Sequence, residues 1–200
     1  MSHVVVAGGL TAAPSRRTFG PTVVGLLVLA VLSVAALARP GDAEAWDYAP
    51  TYIPGQLIAR HSGGCLDVAH ASRALGAPVI QARCWGGLNQ QWTIVPLGHQ
   101  IYQVRARHSN QCLDVKNAVS AHGAPVVQAP CMGPTYYHQL WRFAWAGNDG
   151  HGSYYALYPD HDGAHGWCLD VAHASNQHLA PIIIGRCNRT WNQQWRFRAM

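Results

Sequence analysis

Two kinds of hydrophobic pattern divide the chain. Positions 21–38 form one uninterrupted run of uncharged, mostly apolar residues (PTVVGLLVLAVLSVAALA). From position 46 onward, apolar residues occur in short β-prone runs, such as QLIAR at 56–60 and IYQVRAR at 101–107, which are separated by Gly, Pro and Asn. No segment of this second part keeps the apolar period of an amphipathic helix. The pattern predicts an apolar helix near the amino terminus and an all-β domain after it.

The apolar run has the features of an export signal. Arg16 and Arg17 precede it, and the small-x-small tripeptide AEA at 43–45 follows it, an arrangement typical of a cleaved secretory signal. The sequence SRRTF around the two arginines resembles the core of the twin-arginine export motif, although Gly20 stands where Leu is usual. The sequence therefore predicts export, with the twin-arginine route as one way to achieve it.

Cleavage of this signal sets the domain boundary. We predict a signal peptide over 1–45 and a secreted, extracellular domain over 46–200, in an oxidising space where paired cysteines persist as disulfides. No membrane segment remains after cleavage. The alternative is an uncleaved membrane anchor, because the 18 residues of the apolar run just reach the length of a spanning helix.

Three segments of the secreted part repeat one motif. Each begins with Cys-Leu-Asp-Val, carries a second cysteine 19 positions later and ends with Gln-x-Trp. With the β-prone runs on either side, each repeat predicts four short strands, or about twelve strands in all. One four-strand unit cannot bury its apolar face alone, so the three must close around a shared core. The repeats begin at Cys65, Cys112 and Cys168.

The combination of Cys-Leu-Asp-Val, Gly-x-Pro-Val, Cys and Asn-Gln-x-Trp resembles the ricin B-chain type lectin domain. The resemblance covers roughly residues 50–200. It implies a β-trefoil, in which three pseudo-equivalent lobes surround a threefold axis. The expected fold is thus an all-β β-trefoil of three pseudo-threefold four-strand repeats, preceded by an N-terminal apolar helix. In this fold we expect Trp92, Trp141 and Trp195, which close the repeats, to lie in the core.

The cysteines follow the same threefold repeat. Six cysteines allow many connectivities, but the repeat gives each cysteine one equivalent partner. Metal binding is the competing interpretation; no CxxC spacing occurs, and an oxidising compartment favours disulfides. The predicted pairs are Cys65 with Cys84, Cys112 with Cys131, and Cys168 with Cys187.

The resemblance also implies sugar-binding residues. In the family, the Asp of Cys-x-Asp accepts hydrogen bonds from sugar hydroxyls, the Asn of Asn-Gln adds polar contacts, and the neighbouring Gln orients the Asp. The first and third lobes carry the full set, whereas a longer loop and a histidine in place of the Asn distinguish the second. The implied residues are Asp67, Asn89 and Gln90; Asp114, His138 and Gln139; and Asp170, Asn192 and Gln193.

The aromatic platform of the family is missing from its usual position. There the three lobes carry Ala82, Ala129 and Gly185, which are too small to stack on a sugar. Trp85 and Trp191 lie next to the polar sets, and we predict that they supply an aromatic face from the other side. The alternative for the three aspartates is a structural role, since a short Asp in a turn can accept backbone N–H bonds.

Charge and motifs exclude several function classes. From Trp46 onward eleven basic residues stand against seven acidic ones, without a Lys/Arg run, so we predict no nucleic-acid partner. This part has no Glu, no nucleophile motif and no cysteine without a partner. We therefore predict no catalytic residues, no enzyme activity and no cofactor. The segment DHDGAH at 160–165 matches no calcium loop, and we predict no metal site.

Two functions remain open at this point. The first is a secreted, monomeric and multivalent lectin for galactose- or xylan-type sugars of a polysaccharide or glycoconjugate. The second is a protein-interaction or inhibitor scaffold on a β-trefoil with degenerate sugar sites, which the small residues at the three platform positions would permit.

Overall fold

The computed structural model describes residues 52–163 and 166–200, so the signal peptide and the apolar helix predicted near the amino terminus lie outside the described residues. The described chain contains twelve β-strands and seven short 3-10 turns. Among these residues, no helix is long and apolar enough to cross a membrane.

The strands fall into three consecutive groups of four, one group for each sequence repeat. In chain order they are β1 (Pro54–Ala59), β2 (Cys65–Val68), β3 (Val79–Ala82), β4 (Trp92–Gly98), β5 (Ile101–Ala106), β6 (Cys112–Val115), β7 (Ala124–Ala129), β8 (Trp141–Asn148), β9 (Ser153–Pro159), β10 (Trp167–Val171), β11 (Ala180–Arg186) and β12 (Trp195–Ala199).

Six of these strands close a barrel. The antiparallel pairs β1–β4, β4–β5, β5–β8, β8–β9, β9–β12 and β12–β1 form an unbroken ring. The other six strands form the hairpins β2–β3, β6–β7 and β10–β11. These hairpins meet one another, because β11 pairs with both β3 and β7 and Pro78 bridges Val127. The arrangement confirms the predicted β-trefoil.

The tryptophans that close the repeats lie in the core, as predicted. Trp92, Trp141 and Trp195 are fully buried. Each indole N–H donates to the backbone carbonyl of the Leu in its lobe's Cys-Leu-Asp-Val segment, at 2.9–3.0 Å. Each tryptophan therefore fills the barrel and also ties the barrel to a hairpin, since a buried indole needs a hydrogen-bond acceptor.

Polar side chains join neighbouring lobes. His61 Nε2 lies 3.1 Å from the carbonyl oxygen of Ser175 in the third lobe, and His108 Nε2 lies 2.8 Å from that of Ser72 in the first. The same two carbonyls accept hydrogen bonds from the buried side chains of Gln81 and Gln128. His61 and His108 thus have structural partners, while His165, which precedes Cys-Leu-Asp-Val in the third repeat, lies outside the described residues.

The three predicted disulfides are present. Each joins a cysteine at the start of a hairpin's first strand, the first residue of β2 and β6 and the second of β10, to the loop after the second strand. Each encloses the same length of chain. A loop of this length restricts the unfolded chain enough to stabilise the fold by about 3 kcal/mol in the chain-entropy treatment. The pairs are Cys65–Cys84, Cys112–Cys131 and Cys168–Cys187.

Replacement of a core tryptophan tests this description. Trp92→Phe removes the indole donor to Leu66 and leaves unfilled space, so we expect the free energy of unfolding to fall by about 2–4 kcal/mol. Urea denaturation followed by far-UV circular dichroism measures the change. The control is Trp145→Phe, at a residue that is 55% exposed, which should change it by less than about 0.5 kcal/mol. Equal effects of the two substitutions would contradict the assigned core.

Candidate functional site

The first lobe brings its three predicted polar residues together. Asp67 lies in β2, and Asn89 and Gln90 lie in the 3-10 turn that precedes β4. Asn89 Nδ2 donates to Asp67 Oδ1 at 2.8 Å, and Gln90 Nε2 donates to Asp67 Oδ2 at 2.7 Å. Asp67 is only 3% exposed, so its carboxylate is held in one orientation by two amide donors.

Alternation along β2 places the carboxylate. Leu66 and Val68 point into the core, and successive side chains of a strand point to opposite faces, so Asp67 points away from it. Gln90 then fixes the loop around the disulfide, because its Nε2 donates to the carbonyl of Arg83 and its Oε1 accepts from the N–H of Trp85, both at 2.9 Å. The glutamine therefore connects the aspartate to the loop that carries the tryptophan.

The third lobe repeats this geometry. Asn192 Nδ2 and Gln193 Nε2 donate to the two oxygens of Asp170, at 2.6 and 2.7 Å. Gln193 also donates to the carbonyl of Arg186 at 2.9 Å and accepts from the N–H of Asn188 at 2.9 Å. Two lobes thus contain the same buried carboxylate and the same pair of amides.

The second lobe differs at the predicted position. Gln139 Nε2 still donates to Asp114 Oδ2 at 2.7 Å. His138, which replaces the asparagine, places its Nε2 3.6 Å from the same oxygen, beyond hydrogen-bonding distance. The structure therefore brings Asp114, His138 and Gln139 together, but with a histidine beside the carboxylate in place of an amide donor.

Gly185, at the platform position of the third lobe, has a steric reason to be small. A Cβ atom added to Gly185 would lie 2.2 Å from Asp170 Oδ2. The carboxylate and this position occupy the same face of the hairpin, since Asp170 pairs with Ile183 two residues away along β11. A stacking ring is therefore absent where the family usually has one, and any aromatic contact must come from elsewhere.

The two tryptophans predicted to replace the platform have different surroundings. Trp85 is 66% exposed and lines, with Asp67 and Asn89, an open cavity of about 440 Å³. The ring of Trp191 instead packs against the guanidinium group of Arg60, 4.7 Å from the ring centre. Both indoles are exposed, Trp191 at 58%; the first-lobe indole shares a cavity with its carboxylate, whereas the Trp191 ring also contacts a cation.

Residues from a neighbouring lobe complete the first-lobe cavity, and sequence reasoning missed them. His178 and Leu179 reach it from the loop before β11, and His70 lines it from the turn after β2. The pairing of β11 with β3 brings that loop alongside. The sequence contained a signal for this position, because two of the three repeats carry a histidine there. His178 is equivalent to His122 in the second lobe and to Leu75 in the first.

Burial governs the ionisation of the three carboxylates. Desolvation raises the pKa of Asp67, Asp114 and Asp170, and hydrogen bonds from the glutamine of each lobe partly offset that rise. The charge of His178 further lowers the pKa of Asp67, and that of His122 lowers the pKa of Asp170. The amide donors, and for Asp67 and Asp170 a histidine of a neighbouring lobe, therefore favour the charged form against the effect of burial.

The histidine-rich segment near residue 160 contains an ion pair. Arg142 Nε lies 2.6 Å from Asp160 Oδ1. Within 52–163 and 166–200, no group of three His, Cys, Asp or Glu side chains is arranged to hold a metal ion.

Comparison with known families matches two overlapping parts of the chain. The model of the ricin-type beta-trefoil lectin domain matches residues 100–200, and that of the ricin-type beta-trefoil lectin domain-like family matches residues 44–129. No curated protein matches the chain at a significant level.

Solved structures share the fold. ThreeFoil, a designed threefold-symmetric protein, is 42% identical with a TM-score of 0.66, over 74% of this chain and 99% of that one. The exo-beta-1,3-galactanase 1,3Gal43A from Clostridium thermocellum is 27% identical with a TM-score of 0.66, over 76% of this chain but 31% of the enzyme. The ricin B-like lectin of Macrolepiota procera, solved with lactose, is 14% identical with a TM-score of 0.61, over 76% of this chain and 99% of that one. Together with the family models, these matches show that the chain belongs to the ricin-type β-trefoil lectin family.

Proposed function

We propose that the protein is a secreted lectin that binds neutral sugars of the galactose or xylan type and does not hydrolyse them. The observation that carries the proposal is the first-lobe cavity, where the buried carboxylate of Asp67 and the exposed indole of Trp85 line one space. A pyranose offers paired hydroxyls to a carboxylate and an apolar C–H face to an aromatic ring. The cavity therefore suits both sides of a sugar ring.

The hydrogen bonds within the first lobe leave capacity for a ligand. Each carboxylate oxygen can accept more than the one amide bond that it receives from Asn89 or Gln90. The Oδ1 atom of Asn89 is buried and has no donor among the described residues. Sugar hydroxyls can donate to both acceptors, and a buried acceptor that gains a donor strengthens binding.

The lobes should contribute unequally. The first lobe combines the full polar set with an exposed indole, the third has the polar set with its Trp191 ring against Arg60, and the second has His138 beside its aspartate. A shallow single site binds at about millimolar, or about −4 kcal/mol. Two or three sites on one rigid body raise the apparent affinity for a polysaccharide through effective concentration.

Export into an oxidising compartment fits the three disulfides. We propose that the signal at 1–45 is removed during export. Amino-terminal sequencing of the mature protein should then begin at Trp46, whereas a membrane-bound protein that retains the apolar run would support the uncleaved anchor.

Retention on immobilised glycans tests the lectin proposal. Trp85→Ala removes the exposed aromatic face together with the indole hydrogen bond that lowers the pKa of Asp67, so we expect affinity to fall by about three- to tenfold. Asp67→Ala removes the carboxylate and should abolish binding in this lobe. The matched control is Tyr52→Ala, because Tyr52 is 67% exposed and lies outside the cavity. If the folded, disulfide-bonded protein binds no glycan, the β-trefoil serves as a protein-interaction scaffold instead.

Acidification should weaken sugar binding at a pH above the ordinary range of aspartate. Burial raises the pKa of Asp67 above 3.8, so the carboxylate loses its charge, and with it part of its acceptor strength, as the pH falls through that raised value. Acidification has the opposite effect on folding stability, because a carboxyl whose pKa is raised in the folded state stabilises the fold at low pH. Titration calorimetry across pH 3–7 measures the affinity, with circular dichroism as the folding control; a midpoint at or below 3.8 would oppose the assignment.

A further inference from the structure

A second cavity, of about 360 Å³, lies between β8 of the second lobe and the third lobe, and Asp170 is not among its lining residues. Ala144 of β8, Ala156 of β9 and the Cys168–Cys187 disulfide line it together with several larger side chains. Those side chains are Trp145, Tyr158, Arg189 and Gln193.

The cavity exists because one side chain of the threefold repeat is missing. Gln56 in the first lobe and Gln103 in the second are equivalent to Ala156. Each of the three residues lies four positions before a residue whose backbone N–H donates to a carbonyl of a Gln-x-Trp segment. Both glutamines are buried. Across the barrel strands, Gln56 pairs with Arg198, Gln103 with Val95 and Ala156 with Ala144.

The missing glutamine also frees an acceptor. In the first lobe, Gln56 Nε2 approaches Gln90 Oε1 at 3.4 Å, whereas in the second lobe Gln103 Nε2 donates to the carbonyl of Met132 at 2.7 Å. An alanine can make neither contact, so the oxygen of Gln193, which accepts from the N–H of Asn188, lacks the second donor that Gln90 has in Gln56. A ligand hydroxyl that enters the cavity can take the place of the absent amide.

The side chain of Arg189 brings a positive charge to the same cavity. Arg189 is exposed, and its side chain has no ion pair or hydrogen bond in the part of the chain that the structure describes. It lies close enough to Tyr158 for its charge to counteract the rise that burial causes in the pKa of that phenol. No lining residue is acidic, so the positive charge of Arg189 is not neutralised within the cavity.

The backbone at Arg189 is unusual for its residue type. Its φ angle is +63°, a left-handed conformation in which Gly86, the equivalent residue of the first lobe, also lies at +81°. The second lobe has glycine here as well, at Gly133. A side chain in this conformation carries a steric cost, and such positions occur preferentially at functional sites. The exposed indole of Trp145 has no aromatic equivalent either, since Pro96 and Ala199 take its place.

We propose that this cavity binds the carboxylate-bearing ring of an acidic saccharide, a hexuronic acid residue. The carboxylate pairs with Arg189, the C–H face of the ring packs on Trp145, and a ring hydroxyl donates to Gln193 Oε1. A single guanidinium among mostly apolar lining residues suits a monovalent carboxylate on a ring with an apolar face. The site is separate from the three aspartate sites and does not require that they bind sugar.

Two variants that restore the residues of the other lobes test the proposal. Ala156→Gln refills the cavity with the side chain that the first and second lobes carry, and Arg189→Gly removes the cation while relieving the left-handed backbone. Both are expected to fold. Isothermal titration calorimetry with trigalacturonate should show binding to the unaltered protein that falls by about tenfold or more in either variant.

Three comparisons make the outcome decisive. Trigalacturonate methyl ester, which lacks the charge, should bind the unaltered protein about tenfold more weakly than the free acid. Trp85→Ala should leave trigalacturonate binding unchanged, and Ala156→Gln should leave binding of neutral sugars unchanged. Equal binding of the acid and its ester, or full binding of the acid by Ala156→Gln, would overturn the proposal. Failure of neutral sugars to bind would count against the aspartate sites alone.

Discussion

The buried carboxamide of the Gln-x-Trp glutamine is the interaction on which each lobe depends. Its amino group donates to the aspartate and to the carbonyl just before the second cysteine, and its oxygen accepts from the N–H just after that cysteine. A buried amide left without partners costs about 1–3 kcal/mol, so these bonds fix the loop in one arrangement. Because the tryptophan two residues later fills the core, one short segment couples the barrel interior to the buried carboxylate of the hairpin. The three glutamines are Gln90, Gln139 and Gln193.

The lobes differ in side-chain chemistry at positions that take no part in this hydrogen-bond network. Gln81 and Gln128 hold a neighbouring lobe through hydrogen bonds, whereas Ile184 at the equivalent position joins the apolar core. A buried amide and a buried isoleucine are alternative ways to fill one space, provided that the amide is fully bonded. A repeated chain can therefore change the chemistry of one lobe and keep its shape. Ala156 is the exception, because an alanine fills less space than the glutamine it replaces.

Repetition explains how much of the structure was predictable. The strands, the disulfides, the core tryptophans and the three polar sets all follow from segments that recur in register, and each requires only local sequence. The place of His178 beside Asp67 does not, because it depends on which lobes meet when the hairpins close. Trp191 was predicted beside its aspartate by proximity in sequence, but the guanidinium of Arg60, far away along the chain, engages its ring. The cavity at Ala156 exists because this residue is smaller than the glutamine of the other two lobes. The position lies outside the repeated motif, so the motif did not reveal the cavity.

The pairing of β12 with β1 determines where new chain termini can be placed in the barrel. The first and last strands are neighbours, and the N–H of Met200 donates to the carbonyl of Pro54 at 3.0 Å. A ring of strands held in this way has no intrinsic starting point. A circular permutant that links Met200 to Tyr52 and opens the turn between β4 and β5, where His99 and Gln100 already lie in the left-handed region, keeps every strand pair of the ring intact.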